Sequence, residues 1–144
     1  MNIALVIVTL LLTSVAANQR RTQTDGRYRQ LFKRLSKVSD SSLLNDISTP
    51  QGKALDWLAF GDDFNMAPDD FNLYQRYAAT VLYYSTDGDN WTHCSSTDED
   101  CGKTKMFRKK LPYLSNSTEC DWGGLKCNKA GLMVTINLAE NNLN

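Results

Sequence analysis

The chain has 144 residues, 42% of them hydrophobic, with 16 basic and 16 acidic side chains and a formal net charge of zero. That length suits one ordinary domain. The zero balance excludes a whole-molecule electrostatic attraction to nucleic acid, and no nucleic-acid partner is expected. The charges are nevertheless blocked. Residues 18–37 hold seven basic side chains and one acidic, residues 38–101 two basic and twelve acidic, and residues 102–144 seven basic and three acidic. Three solvated surfaces account for these blocks.

The chain opens MNIALVIVTLLLTSVAA. Residues 3–17 are uncharged and mostly apolar, a length that fits a signal-peptide core better than a membrane span of ~20 residues. Ser14/Ala16 and Val15/Ala17 offer small residues for cleavage. Residues 1–17 therefore read as a signal peptide. The alternative is an uncleaved anchor, which would permit membrane association.

Residues 18–48 read as a basic linker and an amphipathic helix. Tyr28, Leu31, Phe32, Leu35 and Val38 recur at three- and four-residue spacing on a basic background. That face packs on a domain body or, alternatively, lies on a membrane surface. Residues 49–119 read as a helical region that becomes irregular after residue 90. Thr49-Pro50 supplies a hydroxyl N-cap with proline at N1. Ala54, Leu55, Trp57 and Leu58 follow, and Gly61 with Asp62-Asp63 closes the element.

A second helix is expected from Pro68, with Asp69 and Asp70 in its first turn. Its apolar stripe would be Phe71, Tyr74, Ala78, Val81 and Leu82, widened by Leu73, Tyr77 and Tyr84. Thr86-Asp87-Gly88-Asp89 ends it as a turn. Phe107, Leu111, Tyr113 and Leu114 are the clear anchors of the irregular stretch, and residues 132–138 read as one strand.

Catalytic patterns are absent from the sequence. There is no G-x-S-x-G, no H-E-x-x-H and no phosphate-cradling glycine loop. The single histidine, His93, sits beside Cys94 and is expected at the surface. The acidic pairs and clusters are assigned to helix starts and solvated turns, since none has the alternate-position ligand pattern of a calcium loop. No enzyme activity, cofactor or metal is expected.

Cys94, Cys101, Cys120 and Cys127 form two C-x6-C spacings. Zinc sites use shorter loops, so disulfides are expected, with three connectivities open. Sequons at Asn90-Trp91-Thr92 and Asn116-Ser117-Thr118 make Asn90 and Asn116 glycosylation candidates. Signal, even cysteines and sequons together point to the secretory pathway, with a secreted or cell-surface destination.

Residues 120–144 carry the most informative pattern. Met133, Ile136, Leu138, Asn141 and Leu143 follow the spacing L-x-x-L-x-L-x-x-N-x-L, the core of a leucine-rich repeat. Ile136 and Leu138 would face inward, Thr135, Asn137 and Ala139 would line the concave face, and Asn141 would turn the chain. Upstream, Cys120-x-Trp122-x-Gly124-Leu125-x-Cys127 precedes a glycine turn and VTINL.

This order resembles the plant-type N-terminal cap of leucine-rich-repeat proteins. Leu125 replaces that family's valine. Pro50-Gln51, the run from Ala54 to Leu58, Gln75-Arg76-Tyr77-Ala78 and the run from Leu82 to Trp91 resemble the region before the repeats in diatom leucine-rich-repeat proteins, some of them receptor-like. The resemblance covers about residues 47–144.

The resemblance implies a Cys120–Cys127 disulfide, worth about 2–3 kcal/mol, and leaves Cys94 to Cys101. It implies that Trp122 covers the first coil. The expected fold is a mainly α N-terminal region followed by a small disulfide-linked cap with one short strand, the start of an α/β solenoid. About three repeats are needed for stability, so the chain reads as a fragment.

The implied function is a non-catalytic extracellular interaction module, with a protein, peptide or glycan ligand held by repeats beyond this chain. Two alternatives stand beside it. One is a stand-alone small secreted helical binding protein with two disulfides. The other is the start of a receptor-like kinase ectodomain.

Overall fold

The computed structural model describes residues 26–143. The expected signal peptide, most of the linker and Asn144 lie outside the described residues. Helix α1 runs over residues 26–35. Leu31 and Leu35, one turn apart, are fully buried, so its apolar face is used within the domain. Val38 was expected on that face. The helix ends before it and leaves Val38 57% exposed.

Asp40 caps α2 (Ser41–Asn45) by accepting from the Ser42 N–H. Thr49 caps α3 (Pro50–Asp56), its Oγ1 accepting from the Gly52 N–H at 3.0 Å. Proline at N1 costs nothing there, because that N–H has no helical partner. A π-helical turn, Trp57–Gly61, continues α3. Arg27 of α1 covers its Leu58 carbonyl through Nη2 at 3.0 Å.

Helix α4 (Leu73–Ser85) departs from expectation at its start and in its face. Residues 68–72 are turns, because the Asp70 carboxylate accepts from the Asn72 N–H at 2.8 Å and holds the chain in a local bend. Leu73, Arg76, Tyr77, Ala79, Thr80 and Tyr83 are the buried residues of the helix. The expected stripe is displaced: Phe71 is 76% exposed, and Ala78 faces solvent. Rotation of the face brings an arginine and a threonine inward, and both are satisfied there. Thr80 Oγ1 donates to the Arg76 carbonyl at 2.9 Å.

Two adjoining cores result. The first joins α1 to α4 through Leu31, Leu35, Leu44, Leu55, Leu58 and Leu73. The second is aromatic and joins α4 to the C-terminal part through Tyr83, Trp91, Tyr113, Trp122 and Leu125. Trp91 and Tyr113 meet edge to face at 4.8 Å, and Tyr113 and Trp122 meet at a tilt of 40° with their centroids 5.2 Å apart. Such pairs contribute about 0.5–1.5 kcal/mol each beyond area burial.

The sheet has two strands where one was expected. β1 (Leu125–Cys127) pairs antiparallel with β2 (Met133–Ile136), which is shorter than the strand read from the sequence. Among the described residues the architecture is therefore four helices, a small two-stranded antiparallel sheet and two disulfides. No helix among them is long and apolar enough to cross a membrane.

Candidate functional site: the disulfide-closed loop and its strand

Cys120 is bonded to Cys127 and Cys94 to Cys101. Two structural disulfides are consistent with an oxidising, extracellular compartment. The first closes a loop that begins in a short 3-10 turn, Glu119–Asp121, and ends in β1. Within it Trp122 is fully buried, packed edge to face on Trp57 at 5.9 Å. Trp122 thus joins the loop to α3 and α4. Its backbone neighbours pair with the preceding segment: the Leu111 N–H donates to the Asp121 carbonyl and the Gly123 N–H to the Leu111 carbonyl, each at 2.9 Å.

Gly124 turns the loop into β1. Its φ of +78° lies in the left-handed region, and a Cβ there would stand 2.1 Å from the Asn137 carbonyl oxygen. The closeness has a purpose, because the Asn137 N–H donates to the Gly124 carbonyl at 2.8 Å. That bond flanks the pair Leu125↔Ile136, making it a non-hydrogen-bonded pair with its side chains on one face. Leu125 is fully buried while Ile136 is 51% exposed. By the same alternation, the Ile136 N–H faces away from β1, and no further strand pairs with β2 among the described residues.

The other residues of the repeat pattern fall into two groups. Met133 and Leu138 pack against the aromatic core, whereas Leu143 is 47% exposed. Thr135, Asn137 and Ala139 are exposed. Asn141 is tied to a distant loop: its Oδ1 accepts from the His93 N–H at 2.7 Å, while its Nδ2 is buried with no partner. His93 was expected at the surface. It is half-buried instead, its ring 5.7 Å from that of Phe107. Asn90 and Asn116 are both exposed.

The joint between helices and loop rests on a buried ion cluster around Arg76. Arg76 is fully buried and binds Asp62 through Nε–Oδ2 at 2.9 Å and Nη2–Oδ1 at 2.6 Å. Its Nη1 donates to the Ser117 carbonyl at 2.8 Å and reaches Glu119 at 3.4 Å. The guanidinium lies over the rings of Trp122, Phe64 and Trp57 at 4.7–5.2 Å, close enough for cation–π attraction. Asp62 was expected in a solvated turn. It is buried because this guanidinium pairs it. Next to it, Gln75 donates to Glu119 Oε1 and to the Gly131 carbonyl, and accepts from the Met133 N–H.

Burial shapes the titration of the aromatic core. Tyr83 is pushed up to about 12 by burial and by donating its O–H to Asp89 at 2.5 Å. Tyr84 is raised to about 12 by burial and the charges of Asp89 and Asp56. Burial alone raises Tyr113. No group of three metal-ligating side chains is found among the described residues. No protein-family model, curated protein or solved structure matches the chain.

Proposed function

We propose that the chain is a non-catalytic extracellular interaction module, the N-terminal capping region of a leucine-rich-repeat recognition protein. The observation that carries this reading is the state of Asn141. Its side-chain oxygen reaches back to the His93 N–H, and its Nδ2 is buried without a partner. A buried donor left unpaired costs roughly 1–3 kcal/mol. A following coil that offers a backbone carbonyl would relieve that cost.

Three further observations support it. The outer edge of β2 can accept a parallel strand. Ile136 and Leu143 are half-exposed at positions where a repeat buries its leucines. The opposite side of the coil is already sealed by Trp122 and the Cys120–Cys127 loop. Thr135, Asn137 and Ala139 would open the concave face, on which later repeats hold a protein, peptide or glycan ligand. Secretion, glycosylation at Asn90 and Asn116, and a cell-surface or secreted destination belong to the same reading.

The test is a cap transfer. Residues 26–143, which keep α1 and α2 in the first core, placed before three consensus repeats should give a soluble monomer that unfolds in one cooperative step. A product that aggregates like the uncapped repeats rejects the proposal.

A further inference from the structure

A groove of about 300 Å³ is formed by α3, the π-helical turn that continues it, and the end of α4. Ile47, Trp57, Phe60 and Tyr84 give it apolar walls, and Lys53 and Asp56 bring one charge of each sign. Phe60 is 53% exposed and Ile47 59%, although the neighbouring Leu58 and Ala59 are buried. Tyr28 stacks on the Phe60 ring at 5.8 Å, and over half of Phe60 still meets water. Irregular π-turns of this kind are frequent at functional sites.

The polar groups of the groove are unused by the protein. Lys53 and Asp56 sit three residues apart on one helix, a spacing at which opposite charges meet, yet they form no ion pair. The Trp57 indole N–H donates to no described residue and, unlike that of Trp122, is not sealed from water. Gly61, which also lines the groove, keeps that edge of the indole open. A Cβ there would stand 3.0 Å from Trp57 Cδ1 and 3.5 Å from Nε1. Burial, with the charges of Asp89 and Asp56, pushes the Tyr84 phenol up to about 12, so it keeps its proton and can donate.

These accessible groups select the occupant. A simple anion drawn to Lys53 meets Asp56, and a simple cation drawn to Asp56 meets Lys53. A purely apolar ligand would strip water from an ammonium, a carboxylate and an indole N–H without replacing their hydrogen bonds. A neutral ring with an apolar face and a hydroxyl edge answers all of these demands. Sugar hydroxyls both donate and accept, as this mixed set requires. A β-linked glucose carries its hydroxyls around the ring edge and C–H groups on both faces, which suits an aromatic wall.

We infer that this groove binds a neutral β-linked glucan, with one glucose ring laid on Phe60 and its hydroxyls donating to Asp56 and accepting from Lys53 and the Trp57 N–H. The site is built from the helices and does not rest on the repeat reading.

Calorimetric titration of the intact, oxidised chain with cellopentaose tests the inference. Cellopentaose should bind. L-phenylalanine, a zwitterion able to bridge Asp56 and Lys53, should not. Asp56→Ala and Phe60→Ala should each weaken binding by about tenfold or more. Asp63→Ala and Phe71→Ala remove the same groups from exposed positions outside the groove, and should leave affinity within about twofold. All four side chains are exposed, so near-ultraviolet circular dichroism should match the parent chain in every variant. No binding of cellopentaose, or equal losses in the two pairs of variants, would overturn the inference. So would binding of L-phenylalanine or of tetramethylammonium in place of cellopentaose.

Discussion

The Arg76 guanidinium grips the Asp62 carboxylate through two N–H···O bonds, 2.9 and 2.6 Å long, with both side chains out of contact with water. One cation thereby faces two buried carboxylates, because Glu119 lies on its other side. This pairing ties the turn after α3 and the start of the disulfide loop to α4. Removing one member of a buried pair costs more than the pair itself contributes, since a charge is left without compensation. Arg76→Ala should therefore destabilise the chain by about 3–5 kcal/mol. Arg29→Ala, on the exposed side of α1, should stay within about 0.5 kcal/mol. Urea midpoints compare the two, and similar midpoints would contradict the role given to Arg76.

The two disulfides close loops of equal length, each with a sequence separation of 7. Chain entropy then assigns each about 2–3 kcal/mol. Replacing either pair by serine should lower stability by that amount. Non-reducing peptide mapping should recover Cys94 with Cys101 and Cys120 with Cys127. A crossed pair would contradict the fold around Trp122.

Alkaline pH should unfold the aromatic core. A phenol near 10 when unfolded holds its proton more tightly when folded, as Tyr83 and Tyr84 do at about 12. The stability this contributes is fully present below about pH 10. Between there and about 12 the folded chain binds more protons than the unfolded one, so stability falls as pH rises. Phenolate absorbance and near-ultraviolet circular dichroism should change together over that window. Titration of these tyrosines at the ordinary value with the fold intact would contradict it.

Gly124 and Gly26 give a paired test of backbone demand. Gly124→Ala forces a Cβ against the Asn137 oxygen in the left-handed region and should cost more than about 2 kcal/mol. Gly26 has nothing within 4 Å of its would-be Cβ, so Gly26→Ala should stay within about 0.5 kcal/mol. Thermal melts measure both.

Local signals were legible where a few adjacent residues decide the structure. Thr49-Pro50 starts α3 because a hydroxyl cap and a locked φ act within four residues. Leu31 and Leu35 mark the buried face of α1 for the same reason. The face of α4 was misread because periodicity counts apolar residues, and Arg76 and Thr80 are polar. Their burial depends on partners far along the chain: Asp62 is 14 residues from Arg76 and Glu119 is 43. No short window contains both halves of that bargain. One clue did exist, since Leu73, Arg76, Tyr77, Thr80 and Tyr83 keep helical spacing. β1 was missed because Leu125–Cys127 is too short to show alternation, and its strand character comes from pairing with β2.

The account turns on whether the outer edge of β2 receives another coil. The most direct measurement is hydrogen exchange at the Ile136 amide, which faces away from β1. It should be compared in the chain alone and in one extended after Leu143 by three consensus repeats. The account predicts rapid exchange in the former and strong protection in the latter. Asn141→Asp should keep the His93 contact yet weaken that protection, because it removes the unpaired Nδ2 donor. An Ile136 amide that exchanges equally fast in both chains would contradict it.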